Sequence, residues 1–177
     1  DGGTTGTLFT SPRRLFERLT SELNSHLAVH EDQVARRALI FHAVVHAQPP
    51  NLTYLSHIPA YRSTAIMNER ILRWEPESVV ALPAGIGVLA FMVPGSDELQ
   101  AANVAGLRDH EIVLWSKHGV MARSDDSVTR AVDRIEYAET GAHYEYMDLI
   151  AGGRGEGLTP AEMSRVATTF GVDSPWA

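Results

Sequence analysis

Cysteine is absent from all 177 residues, which limits both the covalent and the metal chemistry open to this chain. No disulfide can form, and no thiolate is available to ligate a metal ion. Any metal must therefore be held by His, Asp, Glu, Gln or Asn side chains. The same absence fits a reducing compartment, and we expect a cytoplasmic protein.

Runs of basic residues and long apolar runs are also lacking. The formal net charge is -7 at pH 7 and lysine is scarce, which argues against nucleic acid or an anionic membrane as the partner. No apolar stretch approaches the roughly 20 residues that a bilayer span requires. A local pocket for a phosphate ester is still compatible with the acidic balance, because net charge says little about one site.

What is present is the composition of a globular domain. Hydrophobic residues make up 44% of the chain and charged residues 21%, and the length fits one domain covering residues 1–177. The chain begins with Asp1 rather than methionine, and its opening DGGTTGT is polar and rich in glycine. We therefore expect that the domain lacks its N-terminal part.

Helices are predicted where apolar residues recur at helical spacing behind a capping residue. They are Ser11–Asp32 (with a break and a second start capped by Thr20 or Ser21), Asn51–Ile58, Ser63–Trp74, Ser96–Leu107, Ser127–Ile150, and a last helix from a capping box at Thr159 to near Gly171. Strands are predicted at Ala38–His46, Ser78–Leu82, Ile86–Val93, Glu111–Ser116 and Val120–Arg123. The second and third strands form a predicted hairpin, because only Pro83-Ala84-Gly85 separates them. The predicted fold class is α/β with α+β-type layers, in which helices flank a mixed or antiparallel sheet.

A histidine and a glutamine follow one another at the end of the first predicted strand. Side chains two residues apart on a strand share a face, so His46 and Gln48 point the same way beside the rigid Pro49-Pro50 loop. His42 lies on the same face further back. This arrangement allows two donors to meet one metal ion. The alternative interpretation is a buried histidine with an ordinary hydrogen-bond partner, and spacing alone favours it.

Three further residues are candidates on weaker grounds. His118 precedes Gly119 between two predicted strands, where a surface or capping role is equally compatible. Glu22 stands early in a helix and Glu77 opens a predicted strand. Carboxylates at such positions are usually solvated, so composition alone would single out neither.

Four ordered segments nevertheless give the chain a specific resemblance. They are TSELNSH at Thr20–His26, VVHAQPPNL at Val44–Leu52, WEPESVVALPAGIGVLAFMVPGSDEL at Trp74–Leu99 and LWSKHGV at Leu114–Val120. The chain resembles the class II aldolase/adducin group, and within it the sugar-phosphate aldolases. The order of the four segments and the separations between them also match the group. A single His-Gly pair would not establish the resemblance.

The resemblance implies roles for individual residues. Glu22 matches the catalytic glutamate, and Glu77 matches a second acid in the site. His46 and His118 match two of three metal-binding histidines. Thr20 and Ser21 match positions that hold the substrate phosphate. The implied cofactor is a divalent metal, with Zn²⁺ expected, and the implied assembly is a homotetramer with its sites near subunit interfaces.

The chain departs from the group's pattern at two places. Gln48 stands where a metal-binding histidine is usual, and zinc prefers imidazole to a neutral amide oxygen. Either Gln48 ligates weakly, or Glu22 or His57 completes the shell, or the site is degraded; we favour a working site with altered ligation. The N-terminal phosphate loop of the group has no counterpart here, which predicts weaker phosphate binding and open sheet edges.

The resemblance also leaves the activity open between three classes. A metal-dependent aldolase acting on a ketose 1-phosphate is the favoured one. A sugar-phosphate epimerase or a fuculose-phosphate type of aldolase would use the same metal-plus-enolate chemistry. A non-enzymatic, adducin-like assembly domain would need no metal.

Overall fold

The computed structural model describes residues 19–177 as an ordered series of helices and strands. The helices are α1 Leu23–Arg37, α2 Pro50–Leu55, α3 Thr64–Ile71, α4 Pro76–Ala81, α5 Asp97–Asp109, α6 Val128–Ala151 and α7 Pro160–Phe170, with 3₁₀ turns at Pro59–Arg62 and Leu72–Trp74. The strands are β1 Ala43–Ala47, β2 Ile86–Leu89, β3 Ile112–Trp115 and β4 Gly119–Ser124. No helix in this part of the chain is long and apolar enough to cross a membrane.

The strands form one mixed sheet in the order β1-β4-β3-β2. The pairs β1/β4 and β3/β4 are antiparallel, and β2/β3 is parallel. In this register His46 lies opposite Met121, and Trp115 lies opposite Gly119. The predicted fold class, a mixed sheet flanked by helices, is confirmed.

Strand alternation divides the core into two apolar clusters, one on each face of the sheet. One cluster joins Val45 and Ala47 to the buried face of α6, which contributes Ala131, Ile135, Ala138 and Ala142. On the other face, Val44, Trp115 and Met121 pack with Val29 of α1 and with Leu99 and Leu107 of α5. His46 shares the face of Val44, so it points towards α1 and not towards α6.

The outer edge of β2 is covered by side chains from α3. Asn68 accepts from the Ile86 N–H (2.7 Å) and donates to the Ile86 carbonyl (2.9 Å). Thr64 Oγ1, one helical turn earlier, accepts from the Val88 N–H at 3.1 Å. At β2, the sheet edge that was predicted to be open therefore has partners from α3, because residues four apart on a helix can meet alternate strand residues.

Several helix predictions are confirmed by their caps. Ser96 and Ser127 each accept an N–H in the first turn of α5 and α6, and Thr159 with Glu162 forms the predicted capping box of α7. The predicted helices Asn51–Ile58 and Ser63–Trp74 appear as α2 and as α3 with its 3₁₀ extension. These predictions succeed because caps and helical periodicity act within a few residues.

One strand prediction is wrong, and two strands have other boundaries than predicted. Residues 78–82 lie in and after α4, because Pro76 occupies its first turn and Glu77 suits the helix dipole, so the predicted hairpin with β2 does not exist. Residues 38–42 precede the strand, since Ala38 takes the left-handed conformation (φ 52°) that ends α1. The strand predicted to reach Val93 ends at Leu89.

The first predicted helix is only partly testable, because its residues up to 18 lie outside the described part. The break is confirmed, since α1 begins at Leu23. The predicted capping by Thr20 or Ser21 is wrong: Glu22 occupies the N-cap position and no side chain caps the helix. The helix also runs to Arg37, beyond the predicted end at Asp32.

Candidate active site at the start of α1

A buried carboxylate marks the start of α1. Glu22 is only 3% exposed, and each of its oxygens has one donor. The Ser21 hydroxyl donates to Oε1 at 3.0 Å, and the Gly95 N–H donates to Oε2 at 3.3 Å. A carboxylate with a donor on each oxygen is held in one orientation. Glu22 is therefore not solvated, contrary to what its place in the sequence had suggested, and its catalytic role stays a prediction.

The Pro94-Gly95 turn is built to approach this carboxylate. Gly95 has φ +74°, and a Cβ there would lie 2.8 Å from the Ser21 carbonyl oxygen. Asn24, the second residue of α1, donates to the Gly95 carbonyl at 3.0 Å. Only glycine satisfies both the positive φ and the close approach, so this turn fixes Glu22 from a distant part of the sequence.

Two histidines lie close together at one end of the sheet, where β1 ends and the chain turns from β3 into β4. The ring centroids of His46 on β1 and His118 in the β3–β4 turn are 5.2 Å apart. Trp115 contacts both: it stacks on His46 at 4.5 Å and lies 4.9 Å from His118. The buried indole therefore gives the two imidazoles a rigid apolar support, which fixes their rings before any ligand binds.

Hydrogen bonding leaves one nitrogen of each ring without a hydrogen-bond partner and therefore available to bind a metal ion. His46 Nδ1 bonds to the Val120 carbonyl at 2.8 Å, so Nδ1 carries the proton and Nε2 keeps its lone pair. His118 Nδ1 is buried and has no hydrogen-bond partner. Burial lowers the pKa of His46, the bond to Val120 opposes that shift, and the nearby His118 lowers the pKa further. Metal-ligating imidazoles typically show this backbone-carbonyl partner.

The third predicted metal ligand, Gln48, is less enclosed than the two histidines. Gln48 is exposed, and its Cγ lies 3.1 Å from where a Gly119 Cβ would stand, so the amide does share the corner with His46. Within residues 19–177, no three His, Cys, Asp or Glu side chains are grouped so as to hold a metal. The two imidazoles and the neighbouring amide are donor types that suit a divalent ion, and ligation by the Gln48 oxygen stays a prediction.

The proposed phosphate residues lie beside the carboxylate. Thr20 and Ser21 are both exposed, and Thr20 Oγ1 accepts from the Glu22 N–H at 3.3 Å. The structure therefore brings Thr20, Ser21 and Glu22 together. Whether the two hydroxyls bind phosphate stays a prediction.

Glu77 is not brought to this site within one chain. It is exposed on α4 and lines a groove of about 140 Å³ together with α6 and α7, whose contributions include Arg130, Tyr137 and Phe170. This groove is on the α6 side of the sheet, whereas His46 faces α1. A single chain therefore does not bring Glu77 to the histidines, and the role of Glu77 in the site stays a prediction.

The remaining candidate histidines have other surroundings. His42 Nδ1 lies 2.8 Å from His30 Nδ1, so for this residue the ordinary hydrogen-bonded interpretation holds. His57 is exposed just beyond α2, where its carbonyl accepts from Arg62 at 2.9 Å. Neither residue adds a donor to the pair His46 and His118.

One residue of the site was missed from the sequence. His26 follows Glu22 by four residues on α1, and its half-buried ring is near His46. Burial lowers the pKa of His26 and the charge of His46 lowers it further, whereas Glu22 acts in the opposite direction. The four-residue spacing on a helix was the available signal, because it places Glu22 and His26 on one face.

The fold and the paired histidines with a buried glutamate define the class of protein. The chain belongs to the Class II Aldolase and Adducin N-terminal domain family, whose family model matches residues 10–146. Among its relatives, the rhamnulose-1-phosphate aldolases of Bacteroides thetaiotaomicron and Escherichia fergusonii are each 29% identical over 153 residues, or 86% of this chain. Those alignments cover 56% and 55% of the two relatives, so the chain spans about half the length of the curated relatives it matches.

Solved structures give the same fold. A sugar-phosphate aldolase from Thermotoga maritima is 31% identical with a TM-score of 0.66, covering 80% of this chain and 58% of that one. L-fuculose-1-phosphate aldolase from Thermus thermophilus has a TM-score of 0.59 at 21% identity, covering 82% and 70%. At that lower identity the second similarity supports the fold alone.

Proposed function

We propose that this chain is the catalytic part of a metal-dependent aldolase that cleaves L-rhamnulose 1-phosphate to dihydroxyacetone phosphate and L-lactaldehyde. The observation that carries the proposal is the buried Glu22 carboxylate, held by Ser21 and Gly95, whose charge acts on His46, the histidine that pairs with His118. The named relatives at 29% identity support this ketose phosphate over others. A cytoplasmic location is part of the same proposal.

The metal would be held by His46, His118 and the amide oxygen of Gln48, with Zn²⁺ as the expected ion. When bound, it would supply the positive charge that stabilises the negative charge left on the carbonyl fragment after the C–C bond breaks. Lys117, the lysine beside His118, is exposed, and its position does not favour a covalent Schiff-base route.

Glu22 would move the proton at the reacting carbon of the dihydroxyacetone phosphate fragment. Its two hydrogen bonds hold the carboxylate in place while the substrate binds, which is the condition for efficient general acid–base catalysis. The hydroxyls of Thr20 and Ser21, next to it in sequence, would bind the phosphate. Breaking the bond also requires a group that takes the sugar hydroxyl proton, and Glu77 is the candidate for it.

Glu77 serves this site only if a second copy of the chain supplies it. In one chain its groove is on the opposite side of the sheet from His46. This fits the homotetramer with sites near subunit interfaces that the family resemblance implies. A monomer by mass measurement in solution would count against both the assembly and the role of Glu77.

The first experiment is the metal content of the purified chain, together with an assay for dihydroxyacetone phosphate released from L-rhamnulose 1-phosphate. We expect about one divalent ion per chain and metal-dependent release. Glu22→Gln should keep the metal and lose about 10²–10⁴ in turnover. The amide can still accept from Gly95 and donate to the Ser21 hydroxyl, so the fold should be kept.

The matched control is Glu31→Gln, an exposed glutamate on the same helix, which should leave turnover unchanged. Full turnover in Glu22→Gln would remove Glu22 from the mechanism. Metal without cleavage would instead point to an epimerase or to a different ketose phosphate.

A second candidate function is a non-enzymatic, adducin-like assembly domain. The observation in its favour is that no three His, Cys, Asp or Glu side chains among residues 19–177 are grouped so as to hold a metal, and an exposed glutamine stands in the third ligand position. Purified chain without bound metal, even after incubation with Zn²⁺, would support this candidate over the aldolase.

A further inference from the structure

The short helix α2 lies between the two segments that carry the metal donors. It begins at Pro50, two residues after Gln48, and ends at Leu55 with Ser56 as its C-cap. Ser56 contacts the turn that carries His118, although it is 61 residues away from that turn in sequence. The helix therefore touches both halves of the site that β1 and the β3–β4 hairpin provide separately.

The Ser56 hydroxyl holds that turn through the backbone of Lys117. Ser56 is fully buried, at 0% exposure. Its Oγ donates to the Thr53 carbonyl at 2.6 Å and accepts from the Lys117 N–H at 2.7 Å. A hydroxyl has one proton to donate, and the bond to Thr53 uses it, which leaves the oxygen directed at Lys117.

Lys117 occupies a conformation that needs support. Its φ of 68° is one of two positive values among the non-glycine residues of the described part. A non-glycine residue in the left-handed region is strained, and it persists where surrounding contacts hold it. His118 follows directly, so the conformation at Lys117 decides where the imidazole stands relative to His46.

The start of α2 is fixed as well. Glu139 on α6 accepts from the N–H of Asn51 and of Leu52, both at 2.9 Å, and from the Asn51 side chain at 2.7 Å. These bonds anchor the first turn of α2 immediately after the Gln48-Pro49-Pro50 segment. With its start anchored to α6, α2 presents Ser56 to the His118 turn from a fixed position.

We propose that Ser56 is a positioning residue for the metal-binding pair, holding the Lys117 peptide so that His118 faces His46. The inference rests on the proposed function, since it assigns Ser56 a part in metal binding. It makes Ser56 a residue that contacts neither the metal nor the substrate. Its effect is transmitted through one backbone hydrogen bond.

The experiment compares metal affinity in Ser56→Ala, Ser56→Thr and Ser78→Ala, measured by competition with a chelator using Zn²⁺ and by the visible spectrum of the Co²⁺-loaded chain. Loss of an outer-shell partner typically costs 10–100-fold in metal affinity, so Ser56→Ala should bind Zn²⁺ at least about ten-fold more weakly, with an altered Co²⁺ spectrum. Ser56→Thr keeps the hydroxyl and should recover most of the affinity.

Ser78→Ala is the matched control, because Ser78 is equally buried but its hydroxyl has no hydrogen-bond partner. It should bind Zn²⁺ as the unsubstituted chain does. A second readout needs no substitution: in the metal-free chain, hydrogen exchange of the Lys117 amide should be slowed by its bond to Ser56. Exchange at the rate of a solvent-exposed amide would overturn the proposal, even if Ser56→Ala failed to fold.

The outcomes separate the two levels of inference. Equal Zn²⁺ affinity in Ser56→Ala and the unsubstituted chain would overturn the role of Ser56 and leave the proposed function standing. Absence of Zn²⁺ binding by the unsubstituted chain would overturn the proposed function and the role of Ser56 with it. Weaker binding in Ser56→Ala, with normal binding in Ser78→Ala and Ser56→Thr, supports the proposal.

Discussion

Replacing Gly119 by alanine tests how tightly the start of β4 packs against the end of β1. Gly119 begins β4 directly after His118. An added Cβ would lie 2.5 Å from the Ala47 carbonyl oxygen, 3.1 Å from Gln48 Cγ and 3.2 Å from His46 Cε1. The first contact is with backbone, which cannot rotate away. Strand β1 would therefore have to shift, and it carries His46 and leads directly into Gln48.

The expected cost follows from that overlap. Forcing a methyl group into a packed site costs about 1–3 kcal/mol, which for a domain of this length lowers Tm by about 2–12 °C. Because the shift displaces His46 and Gln48 together, Zn²⁺ affinity should fall by at least about ten-fold. Thermal unfolding of the metal-free chain and a chelator-competition titration measure the two effects separately.

Gly141→Ala gives a control with a similar overlap away from the site. A Cβ on Gly141 in α6 would lie 2.6 Å from the Ile71 carbonyl oxygen and 2.7 Å from Ile71 Cγ2. The helix gains about 1 kcal/mol from alanine, which offsets part of the clash, so Tm should fall less. Zn²⁺ affinity should not change. If Gly119→Ala kept both Tm and Zn²⁺ affinity, the packing argument for this corner would be wrong.

Two further substitutions test the donor set and the buried histidines. Gln48→His should bind Zn²⁺ more tightly, because imidazole replaces a neutral amide oxygen; unchanged affinity in a competition titration would exclude residue 48 from the ligands. Burial, then the charges of His30 and Arg123, lower the pKa of His42 from 6.5 to about 4. Between about pH 6.5 and pH 4 the unfolded chain therefore binds a proton at His42 that the folded chain does not. Tm of the metal-free chain should be highest above about pH 6.5 and fall as the pH is lowered towards 4. His42→Gln should flatten this decline, and an equally steep decline would assign it to other groups.

The sequence by itself determined most of the helices and the family to which the chain belongs. The caps at Ser96 and Thr159 predicted the start of two helices, since a cap acts on N–H groups within its own first turn. The ordered segments around Glu22, His46 and His118 carried the family resemblance, because they preserve residue types at fixed separations.

Prediction from the sequence was wrong where the local residue preferences of a segment are compatible with both a strand and a helix. Val79 and Val80 suggested a strand, yet Pro76 and Glu77 begin a helix there. β-branched residues indicate a half-buried surface as much as a strand, so only the packing of α4 against α6 and α7 decides between them. The parallel pairing of β2 with β3 is likewise a property of the assembled sheet.

Only the tertiary structure decided which groups act on the site residues. The Gly95 N–H that fixes Glu22 is 73 residues away in sequence, and the Ser56 hydroxyl reaches Lys117 over 61 residues. The same assembly put Glu77 on the far side of the sheet from His46. Periodicity and caps report contacts within a turn or a strand. Hydrogen bonds across the fold depend on how whole elements pack, and that information is spread over the entire chain.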